Sequence, residues 1–134
     1  LVWDSTTYSE DYNMSAQFYD NALRESYNFV CVNVGTGGTE QEIVGPAGKR
    51  GRVVNVSYVV TTVLVGTADI DVGPNGAPTV SLTIPTNAAD GDSGSASTEL
   101  KGQTELAADT VCEISTDGGA TSGVVDLVVT IDWF

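Results

Sequence analysis

Histidine is missing from all 134 residues. Its absence excludes Ser-His-Asp and Cys-His catalysis and every zinc site built on imidazole. Basic residues are nearly as scarce. Arg24, Lys49, Arg50, Arg52 and Lys101 stand against 18 acids, for a net charge of -13. A field of that sign repels phosphate, which argues against a general nucleic-acid-binding role. It favours solubility and suits a salty medium, where screening weakens self-repulsion. No apolar run approaches the length of a membrane span. The first residues, Leu1 to Ser5, lack a basic n-region and an apolar h-region, so no signal peptide is expected there. Cysteine is limited to Cys31 and Cys112, too few for a disulfide framework. The pair either bridges a long loop or stays reduced. A chain long enough to bury its own core has no need of a staple, which favours free thiols.

Aromatic residues are absent between Tyr58 and Trp133. Seven of the ten fall in the first 29 positions: Trp3, Tyr8, Tyr12, Phe18, Tyr19, Tyr27 and Phe29. That head is rich in Asn, Asp and Ser, and shows no alternation before Ser26. Residues 1–25 therefore read as an aromatic-rich N-terminal docking arm, extended or partly helical, ahead of a β domain over 26–134. Ser15 is a candidate N-cap, and Phe18 with Ala22 and Tyr19 with Leu23 have helical spacing. The aromatics either cover one end of their own domain or bury against another chain. Aromatic side chains anchor interfaces, and their density here favours the partner, with Trp3, Tyr8, Tyr12, Phe18 and Tyr19 as anchors.

From Ser26 the pattern is that of strands. Tyr27, Phe29, Cys31 and Asn33 alternate with Asn28, Val30, Val32 and Val34. Glu40 to Val44 follows a Gly-rich turn. Arg52 to Val65 is the longest strand candidate, with Val54, Val56, Tyr58, Val60, Thr62 and Leu64 on one face. Shorter strands are expected around Ile70 and Val72, at Val80 to Ile84, within Glu99 to Leu106, and at Thr110 to Thr116. Val124 to Phe134 closes the chain, with Val125, Leu127, Val129, Ile131 and Trp133 facing inward. Residues 86–97 read as a polar, mobile loop. About eight short strands between regular turns predict an all-β protein, an antiparallel β-sandwich of jelly-roll type.

Few residues point to chemistry. Gly91-Asp92-Ser93-Gly94 has the form of a serine-protease segment, but no histidine is present to activate Ser93. Asp92-Ser93-Gly94 also matches the tripeptide of an aspartic-protease loop, without the apolar flanks that site needs. Carboxylate pairs arise by chance among so many acids. Asp69, Asp71, Asp90 and Asp92 offer oxygen to calcium, yet the third acid and closing Glu of an EF-hand loop are missing. The sequence thus predicts no enzyme, no metal and no cofactor. Gly48-Lys49-Arg50-Gly51-Arg52 fails the P-loop spacing. Lys49, Arg50 and Arg52 either pair with local acids or form a basic spot that docks an acidic partner surface.

The run Val44-Gly45-Pro46-Ala47-Gly48-Lys49-Arg50-Gly51-Arg52-Val53-Val54 leads into Val59-Val60-Thr61-Thr62. Gly66-Thr67 and Ile70-Asp71-Val72-Gly73 follow. Leu106-Ala107-Ala108-Asp109-Thr110 and Val124-Val125-Asp126-Leu127-Val128-Val129-Thr130-Ile131-Asp132-Trp133 come later. Over residues 44–134 this succession resembles the small β-sandwich proteins of tailed double-stranded DNA viruses that serve as capsid decoration or cement proteins. The resemblance implies a virion structural role at the capsid surface. It implies a homo-oligomer, dimer or trimer, bound to the major capsid protein across capsomer junctions, without nucleic acid or membrane as partner. A carbohydrate- or surface-binding module and a tail or filament subunit are the alternatives.

Overall fold

The computed structural model describes residues 23–36, 40–97 and 105–134. Over these residues the chain folds as eight strands with no helix. They are β1 (Leu23–Asn33), β2 (Glu40–Ile43), β3 (Gly51–Val65), β4 (Ala68–Pro74), β5 (Val80–Ile84), β6 (Ser93–Ser97), β7 (Cys112–Thr116) and β8 (Ser122–Trp133). The expected arm lies almost wholly outside the described residues, and with it Trp3, Tyr8, Tyr12, Phe18 and Tyr19. Strand β1 starts at Leu23, three residues before the alternation becomes visible at Ser26, because Arg24 finds Asp132 across the ladder.

The strands form two antiparallel sheets, β1-β8-β3-β6 and β2-β7-β4-β5. First pairs with last, second with seventh, third with sixth and fourth with fifth. That is the pairing of one long hairpin rolled around an axis; the β3·β8 and β4·β7 ladders close the roll. The result is a jelly roll, the two-sheet Greek-key architecture that the strand spacing predicts.

The core fills the space between the sheets. Strand β8 keeps strict alternation, and Val125, Leu127, Val129, Ile131 and Trp133 are all buried, as expected from the sequence. Ile43, Ala68, Ile70, Val72, Leu82, Ile84, Cys112 and Ile114 meet them from the second sheet. Each Val, Leu or Ile side chain among them that is removed from water contributes roughly 1.5–3 kcal/mol.

Strand β3 departs from simple alternation. A bulge between Val53 and Asn55 leaves both Val53 and Val54 buried, and a second irregularity beyond Val60 turns Thr62 outward while Leu64 stays inside. A bulge inserts an extra residue and resets the face that follows it. The same device acts in β1. The register shifts between Phe29 and Val32, and Cys31 takes a φ of 57. Cys31 is therefore exposed instead of sharing the inward face of Tyr27 and Phe29, and Val32 is buried.

One expected loop is a strand. Residues 93–97 pair with Asn55 to Val59 as β6, although their composition is Ser, Gly and Ala. Tyr58 decides this. It sits directly across from Gly94, and a Cβ on Gly94 would come within 2.8 Å of the tyrosine ring. The buried ring covers the bare glycine, a cross-strand pairing that sequence polarity does not reveal. The strand expected within Glu99 to Leu106 lies mostly outside the described residues; Leu106 itself makes a single bridge to Gly51.

Trp133 closes one end of the roll. A Cβ at Gly45 would lie 2.4 Å from the indole ring, and one at Gly51 would lie 2.5 Å away. The two glycines form a slot that only bare backbone leaves open. The indole nitrogen donates to the Tyr27 hydroxyl at 3.0 Å, and that hydroxyl donates to Glu25, so the polar atom of the buried ring is satisfied. Gly45→Ala and Gly51→Ala should each lower unfolding stability by about 1–3 kcal/mol through overpacking. Thermal melts of the two variants check this, and unchanged midpoints would show that the indole has room to move.

Candidate docking site

The end of the roll that holds Trp133 also gathers the cations. Strand β8 runs out beside the start of β3, and the pairing continues one residue further. Phe134 N donates to Arg50 O at 2.8 Å, and Arg50 N donates to Phe134 O at 2.9 Å. Alternation then turns the Phe134 ring outward. Arg50 lies over that ring at 4.8 Å and Arg52 at 5.7 Å from its centre. Both guanidiniums are held by the negative face of the ring. Arg50 also contacts Glu105 at 3.0 Å.

A second row runs across three strands. Asp132 faces Arg24 on β1 and Arg52 on β3. Arg24 donates through Nε at 2.6 Å and through Nη2 at 2.9 Å to the two carboxylate oxygens, a forked contact. That hydrogen bond, with the charges of Arg24 and Arg52, holds the Asp132 carboxyl below its ordinary range, against the opposing effect of burial. Lys49 is exposed on the turn whose Lys49 N donates to Pro46 O at 3.2 Å. Arg24, Lys49, Arg50 and Arg52 thus belong to this one corner, and they are four of the chain's five basic residues.

Of the residues singled out from the sequence, Lys49, Arg50 and Arg52 come together here. Arg50 pairs with a local acid, while Lys49 has no ion pair among the described residues. Sequence reasoning missed Arg24, Asp132 and Phe134. The signal for the last two was present in the outward phase of β8. The partner strands that give that phase its meaning are far away in sequence.

A cavity of about 170 Å³ opens beside the corner, bordered by Val44, Pro46, Lys49, Asp109, Val111 and the Trp133 ring. Asp109 shapes its mouth by accepting from Gly48 N at 2.9 Å. The lining is mainly aliphatic and carries no pairing of nucleophile with base, so it is suited to receiving a side chain. A second hollow, about 250 Å³, lies on the outer face of the β2-β7-β4-β5 sheet and is bordered by Glu40, Asp71 and Glu113. Of the acids weighed as calcium ligands, Asp69 and Asp71 accept from the hydroxyls of Thr83 and Ser81, each at 2.6 Å. Asp92 instead accepts from Ala89 N at 2.9 Å. Among the described residues no cluster of three or more metal-binding side chains forms. Ser93 lies in β6 opposite Val59.

No protein-family profile matches the sequence, and no curated protein is similar to it. Among solved structures the chain is similar to the exo-β-1,3-galactanase of Phanerochaete chrysosporium with galactose. The TM-score is 0.41 and the identity 16%, over 86% of this chain and 28% of that one. A variant of the same enzyme with β-1,3-galactotriose gives a TM-score of 0.40 and 14% identity, over 82% and 27%. The chain thus spans less than a third of the enzyme's length.

The two cysteines are free thiols in unlike settings: Cys31 is exposed and Cys112 buried. Burial pushes the Cys112 thiol from an ordinary 9.0 up to about 11. Burial likewise raises the Tyr27 hydroxyl, helped by its hydrogen bond to Glu25, and the Tyr58 hydroxyl. Each group holds its proton more tightly in the folded chain than in the unfolded one. The Cys112 contribution to stability is complete below pH 9.0 and is lost as pH rises through about 11. Thiol titration of the native chain should therefore modify Cys31 alone, with Cys112 reacting only after denaturation. Melting temperature should fall on the alkaline side of pH 9.0; a flat profile to pH 11 would contradict it.

Proposed function

We propose that this chain is a virion structural protein that decorates and stabilises a viral capsid. It binds the major capsid protein and neighbouring copies through its N-terminal arm and the basic corner. The observation that carries this reading is the corner itself. On a chain of net charge -13, four of the five basic residues gather at one corner, two of them over the Phe134 ring, beside an aliphatic hollow. Arginine and aromatic residues in such clusters are typical interface anchors. An acidic shell surface is the complementary partner. The jelly-roll architecture is compatible with the reading without establishing it, since one fold hosts many functions.

Other readings have less support. The hollow beside the corner is lined mainly by aliphatic side chains and pairs no nucleophile with a base. A sugar-binding module needs an exposed aromatic platform on the body. Tyr58 and Trp133 are only 4% and 1% exposed, and Phe134 is covered by arginines. A tail or filament subunit shares the assembly logic and differs only in the lattice it joins.

Two variants test the proposal by cosedimentation with capsid shells stripped of the chain. Removal of residues 1–22 leaves β1 intact and should preserve the melting transition while abolishing shell binding. Lys49→Glu combined with Arg50→Glu should weaken binding at least tenfold without unfolding the roll. Shell binding that survives both changes would refute the proposed docking surface.

A further inference from the structure

The outer face of the β1-β8-β3-β6 sheet differs from the rest of the molecule in its charge. Its rows read Ser26, Thr130 and Asn55, then Asn28, Val128, Ser57 and Ser95, then Asp126, Val59 and Ser93. The side chains are short, and Ser26 and Thr130 bond each other at 3.0 Å. Among the described residues its only acids are Asp132, set between Arg24 and Arg52, and Asp126 at the opposite end. The outer face of the other sheet instead carries Glu40, Glu42, Asp69, Asp71 and Glu113, with Glu42 directly across from Glu113.

We infer that this low-charge face is where a second copy of the chain binds, the two copies related by a two-fold axis. Two molecules of charge -13 repel through almost any other surface. The core of a protein interface is depleted of charge, as this face is. The face is also self-complementary. An axis lying across the strands between Val128 and Thr130 brings Asp126 of each copy over the Arg24–Asp132–Arg52 row of the other, whose net charge is positive. Such an isologous contact repeats each interaction twice. Four strands about 4.8 Å apart and eight residues rising about 3.4 Å each give a face of roughly 500 Å² per copy. Burying about 1,000 Å² in all makes a weak, concentration-dependent pair. This inference deepens the capsid reading by naming the contact between copies. It leaves Lys49 and Arg50 free for the shell.

Sedimentation of the full chain at rising concentration and 0.15 M salt tests it. A monomer–dimer equilibrium is expected, and a monomer at every concentration would overturn the inference. Val128→Glu, on the surface at the centre of the face, should give a monomer with an unchanged melting temperature. Asp126→Lys and Arg52→Glu should each impair pairing alone, and an equimolar mixture of the two should restore it. A dimer that persists in all three variants, or a mixture that stays monomeric, means that another surface or the arm makes the contact. Because shell binding is read with other variants, failure here leaves the docking proposal standing, and the reverse also holds.

Discussion

Strand β8 is hydrogen-bonded along nearly its whole length on both sides, to β1 and to β3. Its inward residues are closed from water and its outward ones stand between residues of β1 and β3. Almost everything else in the molecule follows from that strand. Since β1 and β8 are the first and last strands, the roll is complete only when the two ends of the described chain have met. The contacts that close it are therefore of the longest sequence separation, a topology that folds slowly because loop closure precedes its reward. Trp133 is the last inward residue of β8, and its fit between Gly45 and Gly51 couples the closing strand to the turn before β3.

The same geometry makes the basic corner. Phe134 is one step beyond Trp133, so the strand that buries the indole must expose the phenyl ring. The ring then organises Arg50 and Arg52, while Asp132, one step earlier, recruits Arg24 from β1. The buried ring and the outward one are thus consecutive residues, the last of β8 and the one after it. Gly45 to Arg52 serves both as well, because its glycines receive the indole and its cations define the corner.

The all-β class and the inward set of β8 were legible because every second residue from Val125 to Trp133 is apolar and buried. Strand β6 was not legible, since nothing in Ser-Gly-Ser-Ala-Ser announces a strand until Tyr58 is placed across from Gly94. The faces of Cys31 and Thr62 were misassigned for a related reason: a bulge adds a residue without leaving a mark in the alternation. At the site, the run from Lys49 to Arg52 was visible as a basic cluster. Its neighbours Arg24 and Asp132 became neighbours only through a ladder joining positions 108 residues apart.

Charge bears on why the proposed docking surface lies at an end and a face of this roll instead of in a cleft. A sandwich this well filled leaves little interior room, so recognition has to use its exterior. On an exterior dominated by carboxylates, an approaching acidic surface is repelled everywhere except where cations are concentrated, and steering is sharpest when they are concentrated in one place. Distributing four basic residues evenly would have neutralised a few acids locally and marked nothing. Gathering them at the Phe134 end keeps the Arg24–Asp132 and Arg50–Glu105 pairs and adds Arg52 and Lys49 to the same corner, where the charge is less negative than on the rest of the molecule. In the proposed pairing, the neutral face beside the corner is the surface on which two such molecules approach each other without bringing their acidic faces together.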